Sequence, residues 1–154
     1  MTRRFGLWMC GVLASVAPAA GSLGCVSASC DNIAYRGGVA ITLDGATPGA
    51  YRIQVDAWGE TVVVACEATT CTTEQGGAGA LHVLVWPQVA DDRLIVEAFD
   101  ATLADGPAQL DLRVARDGVE VLAVALTPTY EDAPSGGCAD GTTIRRARMS
   151  QRLR

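Results

Sequence analysis

Catalysis needs a nucleophile, a base or a metal in a recognisable arrangement, and the residues that could supply one are few in this chain. His82 is the single imidazole. It lies in Leu81-His82-Val83-Leu84, where strand alternation turns it away from Leu81, Val83 and Val85 and sets it beside Leu84 and Trp86. That pattern suits a histidine on a sheet face better than a catalytic base. Asp56 and Glu60 flank Trp58. Two carboxylates at a suitable separation can hydrolyse a glycoside, and an exposed tryptophan can stack on a sugar, but acids in turns ordinarily serve solubility and turn geometry. Asp100 and Asp105, with Asp91 and Asp92, offer oxygen ligands of the kind Ca²⁺ takes, without EF-hand spacing. No G-x-S-x-G elbow, H-E-x-x-H helix or phosphate-binding G-x-x-x-x-G-K-[ST] loop occurs. The expectation is a non-enzymatic protein with no metal and no cofactor, in which Trp58 and Trp86 are the candidate ligand-binding residues.

The six cysteines carry more information. Cys10 falls inside an N-terminal apolar run, and Cys66 and Cys71 bracket the polar turn Glu67-Ala68-Thr69-Thr70. The favoured pairing is Cys66–Cys71, with Cys30–Cys138 tying the start of the domain to its end. The alternative joins Cys30 to Cys66 or Cys71 and the remaining cysteine to Cys138. A bridge that closes so long a loop is worth about 4–5 kcal/mol in the chain-entropy model. The C-x4-C spacings of Cys25/Cys30 and Cys66/Cys71 loosely suit a four-thiolate zinc site. An oxidising compartment and the leftover Cys138 both argue against that reading.

The compartment is suggested by the N-terminus. Thr2-Arg3-Arg4 forms a short positive segment, and Phe5 to Val16 is an apolar run of signal-peptide length. It falls short of the roughly 20 apolar residues a spanning helix needs. Ala17-Pro18-Ala19 fits the small-x-small rule of ordinary signal cleavage, which would release a soluble secreted or periplasmic protein. Further on, Ser22-Leu23-Gly24-Cys25 resembles the lipobox of bacterial lipoproteins. That resemblance implies acylation of Cys25 and anchorage to a membrane through several acyl chains, which hold firmly. Val26 follows Cys25 where such proteins carry an Asp as an inner-membrane retention signal, so the resemblance implies the outer membrane. Parity agrees: with Cys25 lipidated and Cys10 removed, Cys30, Cys66, Cys71 and Cys138 form an even set.

All twelve basic residues are arginine, a usage read here as the mark of a GC-rich bacterial genome. Their distribution is uneven. From Cys25 to Gly141 all 17 acids face only five arginines, a net of −12, whereas Thr142 to Arg154 holds five arginines and no acid. An acidic body excludes nucleic acid as the natural partner, because phosphate binding needs a basic surface. The arginine-rich end is expected to pair with that body.

The elements that must position these residues read as β-strands. Val39 to Leu43, Tyr51 to Ala57, Thr61 to Cys66, Ala80 to Pro87, Leu94 to Phe99, Leu110 to Ala115 and Val119 to Leu126 are short runs separated by Gly, Pro and Asp. Tyr51, Ile53, Val55 and Ala57 alternate cleanly with Arg52, Gln54 and Asp56, the signature of a half-buried strand. Asp117-Gly118 is a tight hairpin signal. Gln75 to Gly79, and Tyr130 to Gly137, read as loops. Residues 142–154 read as a final edge strand or tail, with Ala147, Met149 and Leu153 on one parity and most arginines on the other. The predicted fold is all-β: an Ig-like antiparallel β-sandwich of seven or eight strands, with a small β-barrel as the alternative. The segment Pro48-Gly49-Ala50-Tyr51-Arg52-Ile53-Gln54-Val55 resembles the loop-and-strand text of transthyretin-like and immunoglobulin-like exported modules.

The organisation expected is a signal peptide over residues 1–24, a tether over 25–37, a sandwich over 38–141 and the arginine-rich end over 142–154. The function expected is a non-enzymatic envelope lipoprotein acting as a structural or protein-interaction module. The alternatives are a module that binds a glycan or other surface polymer, or a soluble secreted protein or hydrolase without a recognised motif.

Overall fold

The computed structural model describes residues 37–88, 91–102, 104–134 and 143–154. The expected signal peptide, Cys25, Cys30 and Cys138 lie outside the described residues. Ten strands are described: β1 (Gly38–Asp44), β2 (Ala50–Ala57), β3 (Glu60–Glu67), β4 (Thr70–Gln75), β5 (Leu81–Gln88), β6 (Arg93–Asp100), β7 (Leu110–Arg116), β8 (Val119–Leu126), β9 (Glu131–Pro134) and β10 (Thr143–Arg152). They form two five-stranded sheets, ordered β5-β6-β1-β10-β9 and β4-β3-β2-β7-β8. Neither sheet closes on itself. The protein is an all-β sandwich, and the barrel alternative is set aside.

Alternation builds the core. Val39, Ile41 and Leu43 of β1 face the second sheet, and their register partners Val96 and Ala98 of β6 and Ala147 of β10 share that face. From the other side come Ile53 and Val55 of β2, Val62 and Val64 of β3, and Leu112 and Val114 of β7. Ile41, Leu43, Ile53, Val55, Leu112 and Val114 are completely buried. Most of these side chains are β-branched, which suits a pleated, close-packed interior. No charged side chain is buried among the described residues, so the core carries no desolvated charge.

The arginine-rich end departs from expectation. β10 is not an edge strand or a tail: it lies between β1 and β9, parallel to the first and antiparallel to the second. Its parity is as read, with Ala147 and Leu153 buried and Met149 packed against the core. β10 is therefore one of the strands of the sandwich. Alternation could not reveal this, because a strand's place in a sheet is set by a long-range partner, here β1 about a hundred residues earlier.

Two strands were not expected: β9 lies within the segment read as a loop, and β4 falls where no strand is read. β4 has the sequence TCTTEQ and β9 has EDAP, neither with an apolar face to announce it. Both are edge strands, where one side meets water and a polar sequence is tolerated.

Candidate functional site

One end of the sandwich, called here the first end, holds a cleft. It gathers the β1–β2 connection, the start of β2, the β3–β4 turn, the end of β5 and the start of β6. Its volume is about 430 Å³, and its walls include Ala46, Pro48, Tyr51, Cys66, Pro87 and Leu94. Tyr51, Cys66 and Leu94 are buried core residues, so the floor of the cleft is the edge of the core itself.

Backbone and side-chain bonds fix the walls. The amides of Gly45 and Ala46 both donate to the Asp92 carbonyl, at 3.1 and 2.8 Å. The Tyr51 hydroxyl donates to the Thr47 carbonyl at 2.7 Å. A tyrosine at a strand start bonded to backbone a few residues upstream is the tyrosine-corner arrangement of sandwich domains. It gives the Pro48-Gly49-Ala50-Tyr51 text a physical meaning: the turn brings the chain back over the ring. Arg116 donates to the Thr47 hydroxyl, and Asp117 accepts from the Ala50 amide at 2.9 Å.

The third wall is the β3–β4 hairpin, cross-linked by the Cys66–Cys71 disulfide. The two cysteines are directly opposed in the strand register. The expected Cys66–Cys71 pairing is therefore present, and these two sulfurs are unavailable as zinc thiolates.

At the mouth, Arg93 is engaged with Asp44 at 2.8 Å. Ser150 also donates to Asp44, at 2.7 Å. The Ser150 hydroxyl and then the Arg93 guanidinium hold the Asp44 carboxyl below its ordinary value. Glu67 and Asp92 are also among the residues that line the cleft.

The two tryptophans are not brought together. Trp58 occupies the β2–β3 turn, at the far end of β2 from the cleft, and Trp86 lies on the outer face of the other sheet; they are 46% and 38% exposed. His82 stacks on Phe99 with ring centroids 5.8 Å apart. Its neighbours Leu81 and Val83 are buried, as alternation requires.

Asp56 and Glu60 have structural partners. Asp56 accepts from Thr61 at 2.5 Å and from Gln54 at 2.9 Å. Glu60 accepts the amides of Ala80 and Leu81 at 3.0 and 3.1 Å, and these bonds hold its carboxyl below the ordinary range. Gly79 makes room for that contact: a Cβ there would lie 2.2 Å from the carboxylate.

Among the other acids, Asp105 pairs with Arg145 at 3.1 Å, and the same guanidinium lies 5.2 Å from the centre of the Tyr130 ring. Tyr130 donates to the Pro107 carbonyl at 2.9 Å, and burial, then the Asp105 charge, raises its pKa. Asp100 caps its own loop, accepting from Thr102 and Ala104. Among the described residues no group of three His, Cys, Asp or Glu is placed to hold a metal.

The cleft itself escaped sequence reasoning. Its parts come from three separate connections and the strands they join, and the only local signal was Pro48-Gly49-Ala50-Tyr51. No family model, curated protein or solved structure matches this chain.

Proposed function

We propose that this chain is a non-enzymatic lipoprotein of a bacterial cell envelope, displaying its β-sandwich as a structural or protein-interaction module. The observation that carries the reading is the Cys66–Cys71 cross-link in the edge hairpin, since such bonds persist in oxidising compartments outside the cytosol. The apolar run from Phe5 to Val16 and the lipobox-like Ser22-Leu23-Gly24-Cys25 supply the address. Acylation of Cys25 would place the sandwich on the outer membrane at the end of a short tether. Cys30 and Cys138 would then form the second bridge.

The test is the intact mass of the protein purified from its own membranes, before and after reduction. A chain starting at Cys25 with two or three acyl groups, gaining about four protons on reduction, is the expected result. A lipid-free chain starting at Ala20 would overturn the anchoring and leave a secreted protein with an odd thiol.

A second reading rests on the exposure of Trp58 and Trp86. Each presents an aromatic face suited to stacking on a glycan, and a polysaccharide pull-down lost on Trp58→Ala or Trp86→Ala is its test.

A further inference from the structure

We infer that the cleft at the first end of the sandwich binds a small amphiphile with an apolar, ring-sized body and a cationic end. The volume of about 430 Å³ lies in the range of small-molecule sites. Its floor is apolar, made by Tyr51, Cys66 and Leu94, with Ala46 and Pro48 on one wall and Pro87 on another.

The site is also built in advance. The two hydrogen bonds from the Gly45 and Ala46 amides to the Asp92 carbonyl, the Tyr51–Thr47 hydrogen bond and the disulfide fix the loops that would otherwise have to be ordered by the ligand. Preformed walls spare a ligand that entropy cost.

Charge selects the ligand's polar end. Arg93 is turned to Asp44, and Arg116 to Thr47 and the β1–β2 connection. Glu67 and Asp92, by contrast, make no ion pair among the described residues. Two acidic residues of the lining thus remain outside any ion pair there, and a cation emerging from the apolar floor meets complementary charge. An anion meets the opposite.

This inference is independent of lipid anchoring, and each can fail without the other. The experiment is a titration of the ¹⁵N-labelled protein with tryptamine and, separately, with indole-3-propionate, which pair the same ring with opposite charges. Tryptamine should produce saturable amide shifts at Ala46, Ala50, Ala68, Thr69 and Leu94. Indole-3-propionate should bind about five- to ten-fold more weakly, the factor that two exposed charge pairs contribute. The Glu67→Gln/Asp92→Asn variant should bind both probes alike, with the same residues shifting.

Ala46→Phe fills the cleft and should abolish the shifts, the dispersion of the spectrum reporting that the fold persists. If that variant fails to fold, Ala50→Leu serves at an exposed position on the same wall. Shifts scattered over the surface, no saturation, or equal binding of the two probes to the unsubstituted protein would each overturn the inference.

Discussion

The β3–β4 and β7–β8 hairpins form the two edges of one sheet, and they are held by different means. In β7–β8 the stabilisation is hydrophobic. Leu110, Leu112 and Val114 are buried on β7, Val121 and Leu126 on β8, and Leu122 and Val124 pack against the same core. Its turn, Asp117-Gly118, has both central residues at positive φ, 51° and 80°, the geometry that joins right-twisted strands most smoothly.

In β3–β4 the outer strand contributes almost no core. Every residue of β4 is exposed except the half-buried Cys71. Its turn sets Ala68 at φ 52°, a region an alanine enters only at a cost. The sulfur cross-link, the Arg52–Glu74 ion pair at 3.1 Å and the Glu60 carboxylate on the β4–β5 connection do what packing does elsewhere. A chain short of apolar residues for an edge strand can still order it with a few specific bonds, and here those bonds also form a wall of the cleft.

Packing deletions should break the symmetry of the sheet most strongly. Leu112→Ala removes a completely buried side chain and should cost about 2–5 kcal/mol. Thr72→Ala on exposed β4 should stay within about 0.5 kcal/mol. Urea denaturation of the two variants measures the difference. Next in size is the cross-link: Cys66→Ala/Cys71→Ala should cost about 2 kcal/mol, the chain-entropy value for so short a loop. The loss should be local, with β4 amides exchanging faster while β8 amides keep their protection. Uniform loss across both hairpins would mean that β4 is part of the cooperative core.

The turns sharpen the comparison with changes of opposite sign. Asp117→Ala removes the carboxylate that accepts from Ala50 and puts alanine at positive φ, so about 1–2 kcal/mol should be lost. Ala68→Gly relieves a left-handed alanine and should gain about 0.5–1 kcal/mol. Thermal denaturation of the pair, with opposite displacements of the midpoint, is the check.

What was legible from the residues follows the same division. The β7–β8 hairpin, its turn and its inward face could be read directly, because alternation and Asp-Gly turn chemistry are local and both were strong. The Cys66–Cys71 pairing was legible from the short polar segment between the cysteines. β4 was not, since Thr-Cys-Thr-Thr-Glu-Gln has no apolar parity and owes its strand conformation to β3. β10 was read with the right parity in the wrong place, because β1 supplies its neighbour across the whole length of the domain. Of the site, the turn position of Trp58 and the strand positions of Trp86 and His82 were visible. The cleft was not: it depends on sequence-distant groups such as Ala46, Cys66 and Leu94 meeting at one end of the sandwich.

Acid should separate the two edges by the smallest margin, and the sign follows from Glu60. In the folded protein the amides of Ala80 and Leu81 lower its pKa below the ordinary 4.5. A group depressed in this way stabilises the fold fully above its unfolded pKa, and the contribution is lost as pH falls through the folded value. Asp44, lowered below 3.8 by Ser150 and Arg93, behaves in the same direction but ties β1 to β6 and β10 in the other sheet. Glu60 alone of the two bears on the connection that follows β4. Lowering the pH from roughly 6 to 3 should therefore release β4 amides to exchange before those of β8. Glu60→Gln, which keeps one acceptor oxygen and discards the charge, should remove most of that pH dependence while leaving the order of the strands unchanged. If β8 exchanges first, the carboxylate is not what holds this edge, and the cross-link and the Arg52–Glu74 pair must account for it.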